Sequence, residues 1–291
     1  MSSRTPADVL AILDPRHPQG FDFADPGRPA LSVLDLAATR GDGVFETFGV
    51  RSGHPQALEA HLARFERSAA SLDLRTPPLD LWRRAVLAVG GRLAADDFAV
   101  IKIVLSRGIE GADEPTGWLH GRIAPDHSIA RTDGIDVAVL DRGYRHDVSS
   151  TSPWLLQGAK TLSYAVNTAA LREAVRRGAD DAIFISSDGV VLEGPTSTVL
   201  LRRGDHLLTP DLGLPILDGT TQGSVFEFAT SRGLTTGFSH PTVADLEHAD
   251  GVWLLSSVRL AAPVRSLDGR PIPVDREFTD ALVAHLFERR G

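Results

Sequence analysis

The chain of 291 residues is long enough for about two domains of roughly 150 residues, and its 42% apolar and 23% charged residues are typical of folded soluble proteins. Thirty Lys and Arg against 38 Asp and Glu give a formal net charge of −8, which disfavours nucleic acid or an anionic membrane as a partner. The absence of cysteine excludes disulfides, thiolate nucleophiles and cysteine-ligated metal sites. Neither a signal peptide nor a membrane-spanning apolar run is apparent, so we expect a soluble cytoplasmic protein.

Apolar spacing and turn residues predict short strands and helices after a loop-like N-terminal stretch. The predicted strands are 44–50, 98–105, 135–140, 182–186, 190–193, 197–201, 206–209 and 252–257. The predicted helices are 57–72, one within 79–93, 162–178, about 221–231, and a C-terminal helix ending in LFERRG. We therefore expect an α/β protein of the α+β type, with an N-terminal α/β domain over 1–140, a polar linker over 141–157 and a C-terminal domain over 158–291.

Several common catalytic and nucleotide-binding motifs are incomplete or missing. GDGVFE (41–46) begins like a dinucleotide-binding fingerprint, but Glu46 stands at the third glycine position and the motif precedes a strand. GAKT (158–161) is similar to the end of a phosphate-binding loop, but Ala159 replaces the glycine before the lysine. The sequence contains neither HExxH nor GxSxG, and we expect no metal site.

Lysine is rare in this chain, because only two of its 30 cationic residues, Lys102 and Lys160, are not arginine. Arginine stays protonated, so only a lysine can supply a neutral amine that forms an imine with an aldehyde. Lys102 shares a predicted strand face with Val100 and Val104, where a lysine that extends past apolar neighbours is the expected interpretation. Lys160 precedes a helix predicted to start near Leu162, and the positive end of a helix dipole favours a neutral amine.

Six segments, in this order and with similar spacing, resemble the class IV aminotransferases, the fold-type IV pyridoxal-phosphate enzymes. They are GDGVFET (41–47), HLARF (61–65), AKTLSY (159–164), GVVLEGPTSTVLL (189–201), LTPDLGLPILDGTT (208–221) and VWLLSSVRLAAPVRSLDG (252–269). The family includes branched-chain and D-amino acid aminotransferases and aminodeoxychorismate lyase, and this chain looks most like the actinobacterial lyase branch. The resemblance implies a smaller N-terminal lobe, a larger C-terminal cofactor-binding lobe, pyridoxal phosphate held between them, and a homodimer.

The resemblance also implies roles for single residues. Lys160 is similar to the lysine that holds the cofactor covalently and then moves the proton, and Glu193 to the carboxylate that keeps the pyridine nitrogen protonated. Arg64 matches the arginine that binds the phosphate, and Tyr164 matches a tyrosine that contacts the phenolic oxygen, although its spacing from Lys160 is one residue shorter than in branched-chain enzymes.

The implied phosphate site combines a loop and a helix start, where free N–H groups favour an anion. Its residues are Leu217, Gly219, Thr220, Thr221, Ser256 and Ser257. Three positions depart from the usual family pattern: Thr198 stands for asparagine, Thr220 for a hydrophobic residue and Gln222 for arginine or lysine.

Family members with this set of residues catalyse two different reactions. The residue type at the position of Thr47 differs between the two groups of enzymes. Lyases of the family resemble GDGxFxT, with a hydroxyl near the reacting carbon, whereas branched-chain enzymes tend to have glycine and D-amino acid enzymes valine. We therefore expect an aminodeoxychorismate lyase that acts on a small-molecule amino substrate, with Thr47 and Lys160 catalytic. Arg107 and Arg40 are candidates for binding substrate carboxylates. The alternatives are a D- or branched-chain aminotransferase and a non-catalytic binding module.

Overall fold

The structure, a computed structural model, describes residues 8–93 and 98–289. Its internal contacts divide the chain into two compact units. Unit 1 takes the chain up to Pro125 together with Ala159–Tyr164, and unit 2 takes Asp126–Gly158 and Ala165–Arg289. Within the described ranges, none of the helices has the length and apolar character needed to cross a membrane.

Unit 1 is built on an antiparallel sheet with two longer helices. Its strands are β1 (Val9–Leu13), β2 (Phe21–Ala24), β3 (Gly43–Arg51), β4 (His54–Pro55), β5 (Ala99–Ser106) and β6 (Thr116–Ile123). Its helices are α1 (Leu36–Thr39), α2 (Leu58–Ser71) and α3 (Leu79–Gly90). The strand order is β2-β1-β6-β5-β3-β4.

Alternation of side chains along β3 gives this sheet two different faces. On one face Phe48 lies 4.7 Å from the ring of His61 on α2, and Phe65 of α2 packs edge-on against Trp82 of α3. These aromatic contacts form the helix-covered core of unit 1. On the opposite face Thr47 is only partly buried, which leaves room for polar side chains.

Unit 2 contains a larger mixed sheet. Its strands are β7 (Ile135–Asp141), β8 (Asp181–Ile185), β9 (Thr198–Arg203), β10 (His206–Pro210), β11 (Thr235–Ser239), β12 (Gly251–Ser256), β13 (Leu260–Leu267) and β14 (Arg270–Pro271). The order is β11-β10-β9-β12-β13-β7-β8, with β14 paired to β13. The helices are α4 (Ser128–Thr132), α5 (Val148–Thr151), α6 (Ala165–Arg176), α7 (Thr220–Ser231), α8 (Val243–Glu247) and α9 (Arg276–Glu288), with a 3₁₀ turn at Pro153–Leu155.

The core of unit 2 is made by the apolar runs of its central strands. Val199, Leu254 and Val264 come from three adjacent strands and are fully buried in one cluster. Helix α9 packs Phe278 at 5.2 Å from the ring of Trp253, whose indole N–H donates to Thr279 Oγ1 at 2.9 Å. The buried indole is therefore both packed and hydrogen bonded, as a polar group in a core requires.

Most of the predicted elements are confirmed to within a few residues, but several are missed or wrong. Residues 190–193 do not form the predicted strand; Val191 and Val190 make isolated bridges to Ile185 and Thr242. The N-terminal stretch is not loop-like, since it contains β1 and β2. The strands β6, β11 and β13 were not predicted, because glycine or proline interrupts their apolar pattern.

The two units divide the chain differently from the predicted domain bounds of 1–140, 141–157 and 158–291. Strand β7 (Ile135–Asp141) pairs in parallel with β8 and β13, so it belongs to the sheet of unit 2. Residues Ala159–Tyr164 belong to unit 1, because their backbone pairs with β3.

Replacing Gly43 by alanine is expected to destabilise the protein. An added Cβ would lie 2.5 Å from the carbonyl oxygen of Leu105 and 2.9 Å from Ser106 Cα, so the β3–β5 backbone would have to shift. The matched control is Gly223→Ala, the fourth residue of α7, where an added Cβ meets nothing within 4 Å and alanine is the better helix former by at most about 1 kcal/mol. In thermal melts Gly43→Ala should lower Tm and Gly223→Ala should raise it slightly; an unchanged Tm for Gly43→Ala would contradict the close approach.

Candidate active site

Lys160 is held by backbone pairing with the start of β3. The Phe45 amide donates to the carbonyl oxygen of Lys160 at 3.0 Å, and the Leu162 amide donates to Gly43 at 2.8 Å. The amide of Lys160 itself donates to Ser68 Oγ of α2 at 3.1 Å. The predicted helix start near Leu162 is wrong, since α6 begins at Ala165, so strand pairing and not an adjacent helix start positions this lysine.

Several functional groups of unit 1 lie around the ring of Phe45. Lys160 Nζ lies 4.7 Å from its centroid, and the ring of Tyr164 meets it edge-on at 5.3 Å. Lys102 Nζ lies 4.4 Å from the same centroid. Thr47 follows two residues later on the same strand face and is the register partner of Lys102. Both lysines of the chain therefore contact one aromatic ring, which the sequence spacing did not predict.

Arg64 lies in a buried charge cluster on the other face of β3. Its Nε and Nη2 donate to the two carboxylate oxygens of Glu46 at 2.6 and 2.7 Å, and His61 Nδ1 is 2.7 Å from Glu46 Oε2. Burial would raise the pKa of the Glu46 carboxyl, but the Arg64 guanidinium and the His61 ring hold that pKa well below its usual range. The carboxylate thus orients the guanidinium through a bidentate contact.

Arg107, a candidate for substrate binding, is bound by groups of its own unit. Its Nε and Nη2 donate to the carboxylate of Asp42 at 2.7 and 3.2 Å, and Nη2 also donates to the carbonyl oxygen of Leu72 at 2.7 Å, just past the end of α2. The Asp42 carboxylate raises the pKa of the guanidinium. Arg40 is exposed and follows α1. A substrate carboxylate would compete with Asp42 for Arg107.

In unit 2, Glu193 and Leu217 are brought together. The backbone amide of Leu217 donates to Glu193 Oε2 at 3.0 Å, which fixes the direction of this half-buried carboxylate. Backbone hydrogen bonds in both directions with Phe184 anchor the segment at the end of β8. Glu193 is therefore a rigidly held acceptor, as a partner for a protonated ring nitrogen must be.

The start of α7 has the features of an anion site. A Cβ on Gly219 would lie 2.3 Å from Thr198 Oγ1, so only glycine fits there without displacing that side chain. Thr220 Oγ1 and Ser257 Oγ approach to 3.5 Å. Thr221 Oγ1 is buried and finds no hydrogen-bond partner among the residues that the structure describes. Buried hydroxyls are normally satisfied, so this one is suited to a ligand oxygen at the helix start.

Unit 2 also contains a network of polar side chains that the sequence analysis did not predict. Arg142 Nε donates to Tyr144 Oη at 3.1 Å, and that hydroxyl donates to Gln157 Oε1 at 2.7 Å. Arg142 also donates to Asn167, whose amide donates to the carbonyl oxygen of Pro195, two residues after Glu193. Burial raises the pKa of Tyr144, Arg142 opposes this, and the negative charge of Glu193 raises that pKa further. No motif marks these residues, because isolated polar side chains far apart in the sequence carry no spacing signal.

Comparison with known proteins identifies the family. The family described as amino-transferase class IV matches residues 43–267, most of the chain. The chain belongs to this family. A bifunctional aminodeoxychorismate lyase / D-amino acid transaminase from Mycobacterium tuberculosis is 47% identical over 262 residues, which cover 87% of this chain and 91% of that protein.

Two solved structures show that the similarity to other proteins includes the fold. The fold IV-transaminase CpuTA1 from Curtobacterium pusillum has a TM-score of 0.92 and 49% identity, covering 96% of this chain and 97% of its own. The PLP-bound form of a hypothetical aminotransferase from Mycobacterium tuberculosis has a TM-score of 0.90 and 44% identity, covering 97% and 99%. The class IV fold predicted from the sequence is confirmed.

In this class IV enzyme the substitution Glu46→Gln is expected to lower the free energy of unfolding by about 3–5 kcal/mol, because it leaves the Arg64 guanidinium buried without a carboxylate. The matched control is Glu59→Gln. Glu59 also pairs with an arginine, Arg83, but the Glu59 side chain is 64% exposed. Urea unfolding should show a far smaller loss for the control. Equal losses in the two variants would contradict the importance of the buried pair.

Proposed function

We propose that this enzyme eliminates pyruvate from 4-amino-4-deoxychorismate to give 4-aminobenzoate, and that it also transaminates D-amino acids. The observation that carries the lyase activity is the place of Thr47, on the same sheet face as the Phe45 ring that Lys160 contacts. The second activity is supported by the 47% identical relative, which is named for both reactions. Transamination of branched-chain amino acids is the alternative to test.

The cofactor of the enzyme is pyridoxal phosphate. The unpartnered Thr221 hydroxyl and the glycine at the start of α7 suit its phosphate, and the fixed carboxylate of Glu193 suits its pyridine nitrogen. When bound, the cofactor withdraws electrons from the carbon that carries the substrate's amino group and so stabilises negative charge there. In this proposal the residues that hold it are Lys160, Arg64, Tyr164, Glu193, Leu217, Gly219, Thr220, Thr221, Ser256 and Ser257.

Lys160 and Thr47 divide the proton transfers of the lyase reaction. Lys160 Nζ takes the proton from the carbon that bears the amino group. The bond from the adjacent carbon to the enolpyruvyl oxygen then breaks with its electron pair on that oxygen, the ring becomes aromatic, and the released enol gains a proton to become pyruvate. The hydroxyl of Thr47 would orient the ether oxygen or pass a proton to it, which glycine or valine cannot do.

In transamination Lys160 Nζ would take the same proton from the substrate carbon and later release it, and no leaving group departs. The residues that hold the cofactor therefore serve both reactions. Only a residue close to the leaving group on the neighbouring carbon can favour one reaction over the other. Substrate-binding roles for Arg107 and Arg40 stay predictions.

Covalent trapping tests the assignment of Lys160. Borohydride reduction of the loaded enzyme, followed by peptide mass analysis, should find the cofactor on Lys160. Lys160→Ala should abolish the trapped product, because no other amine forms the bond. The control is Lys102→Ala, which removes the other lysine beside the Phe45 ring and should leave the trapped cofactor in place. A cofactor trapped on Lys102 would overturn the assignment.

The choice of reaction is tested by Thr47→Val, with Thr47→Ser as the matched control that keeps the hydroxyl. Removing a proton-relay group costs roughly 100-fold, so Thr47→Val should lower 4-aminobenzoate formation by about that factor and affect transamination much less. The purified enzyme is incubated with 4-amino-4-deoxychorismate, and separately with D-Ala or L-Leu plus 2-oxoglutarate. Rapid transamination without any 4-aminobenzoate would refute the lyase function.

A further inference from the structure

The turn between β12 and β13 lies beside the anion site at the start of α7. The last strand pair before it is Ser256 with Leu260, so the turn itself is short. Ser257 is buried in this turn, and its hydroxyl approaches Thr220 Oγ1 to 3.5 Å. Leu260 is fully buried and has a φ of +68°, a left-handed backbone conformation that leucine rarely adopts. Such a backbone persists only where surrounding contacts enforce it, so the turn must be held by its neighbours.

Arg259 makes the contact of this turn that reaches furthest along the chain. Its amide donates to Ser256 Oγ at 3.1 Å, and its Nη2 donates to Asp181 Oδ2 at 2.6 Å. The Arg259 side chain is 14% exposed and that of Asp181 only 2%. Within residues 8–93 and 98–289, Asp181 is the one carboxylate at ion-pair distance from Arg259, and Arg259 Nε is buried without a hydrogen-bond partner. The position of the guanidinium therefore depends on a single carboxylate.

Asp181 connects this ion pair to the segment that carries Glu193. Its Oδ1 accepts from the amide of Ala182 at 2.8 Å, which fixes the carboxylate at the start of β8. Gly194 packs against the same place, since a Cβ added to it would lie 3.1 Å from the carbonyl oxygen of Ala182. Two residues further along β8, the amide of Phe184 donates to the carbonyl oxygen of Glu193 at 2.8 Å. Strand β8 thus binds both the backbone of Glu193 and the guanidinium from the turn.

The ion pair links two parts of unit 2 that are not neighbours in the sheet. Strand β7 lies between β13 and β8, so the strands that carry the two charges are two strand spacings, roughly 10 Å, apart. A buried ion pair adds little net stability, because both charges lose their water, but its directed contact fixes the groups that carry it. The separation fixed here is the one between the turn that contains Ser257 and the segment that contains Glu193.

We propose that Arg259 and Asp181 form a positioning pair that holds the β12–β13 turn where Ser256 and Ser257 can bind an anion. The inference rests on the proposed function, in which these serines and the start of α7 hold the phosphate of pyridoxal phosphate and Glu193 holds its ring nitrogen. A rigid cofactor binds tightly at both ends when their separation is already set, because ordering the turn on binding would cost affinity. The pair acts through the turn and makes no contact with the cofactor itself.

Cofactor binding to the full chain tests the pair with two forms of the ligand. The protein is stripped of cofactor and titrated with pyridoxal phosphate and with pyridoxal, which lacks the phosphate. The double variant Arg259→Met/Asp181→Leu replaces the pair by apolar side chains and leaves no unpaired buried charge. A hydrogen bond to a charged group corresponds to roughly 10- to 100-fold, so this variant should bind pyridoxal phosphate more weakly by about that factor. Its affinity for pyridoxal should stay within about threefold of wild type.

Single variants keep the test decisive if the double variant does not fold. Arg259→Lys keeps a charged donor for Asp181 and should retain the affinity for pyridoxal phosphate, whereas Arg259→Gln removes the charge and should weaken binding about tenfold. The matched control is Arg202→Met, which breaks another half-buried ion pair of unit 2, with Asp275 at 2.9 Å, and should leave the affinity unchanged. Unchanged affinity in the double variant or in Arg259→Gln would overturn the proposal. Equal losses for pyridoxal phosphate and pyridoxal would also overturn it, because a merely structural pair would weaken both alike.

Inorganic phosphate separates failure of this inference from failure of the proposed function. Phosphate should raise the Tm of the stripped wild-type chain by binding at the turn and the start of α7, and the rise should be smaller in Arg259→Gln. An enzyme that traps cofactor on Lys160, but binds phosphate and pyridoxal phosphate equally well with and without the pair, refutes only the positioning role. An enzyme without trapped cofactor on Lys160 refutes the function itself, and the phosphate-dependent Tm still decides whether the pair positions an anion site.

Discussion

The arrangement at Lys160 depends on its backbone pairing with the first residues of β3. Because Phe45 and Gly43 hydrogen bond to this short segment, the lysine is fixed to the sheet of unit 1, and not carried by the helix that follows it in sequence. Gly43 permits this pairing, since a Cβ there would lie 2.7 Å from Leu162 Cδ1 of the paired segment and 2.5 Å from the Leu105 carbonyl oxygen of β5. One strand edge thus determines which aromatic ring the lysine contacts.

The same strand separates two chemical environments by simple alternation. Glu46 points into the helix-covered core and binds Arg64 and His61, while Phe45 and Thr47 point to the opposite face. The buried face has its charges matched within the protein. The other face presents ammonium groups of both lysines of the chain, which is the arrangement expected where anionic substrates react.

Local pattern predicted the elements that have regular apolar spacing, such as α2 and β3, and ordered motifs identified the family correctly. Contacts across long sequence separations were not predictable: Arg107 and Asp42 are 65 residues apart, and nothing in either segment indicates that they pair. The start of α6 was placed three residues early because Leu162 fits the apolar period of the helix, although its amide hydrogen bonds to β3. The contact of Lys102 with the Phe45 ring follows from strand register, which periodicity cannot supply.

The pairing of Arg64 with Glu46 has a consequence for anion recognition. A guanidinium whose charge is cancelled by a bidentate carboxylate contributes directed N–H groups but almost no long-range field. If such a cluster helps to hold a phosphate, selectivity comes from the fit of donors around the oxygens and not from attraction at a distance. Recognition of that kind is little affected by ionic strength, because screening acts on net charge and hardly at all on short contacts made away from water.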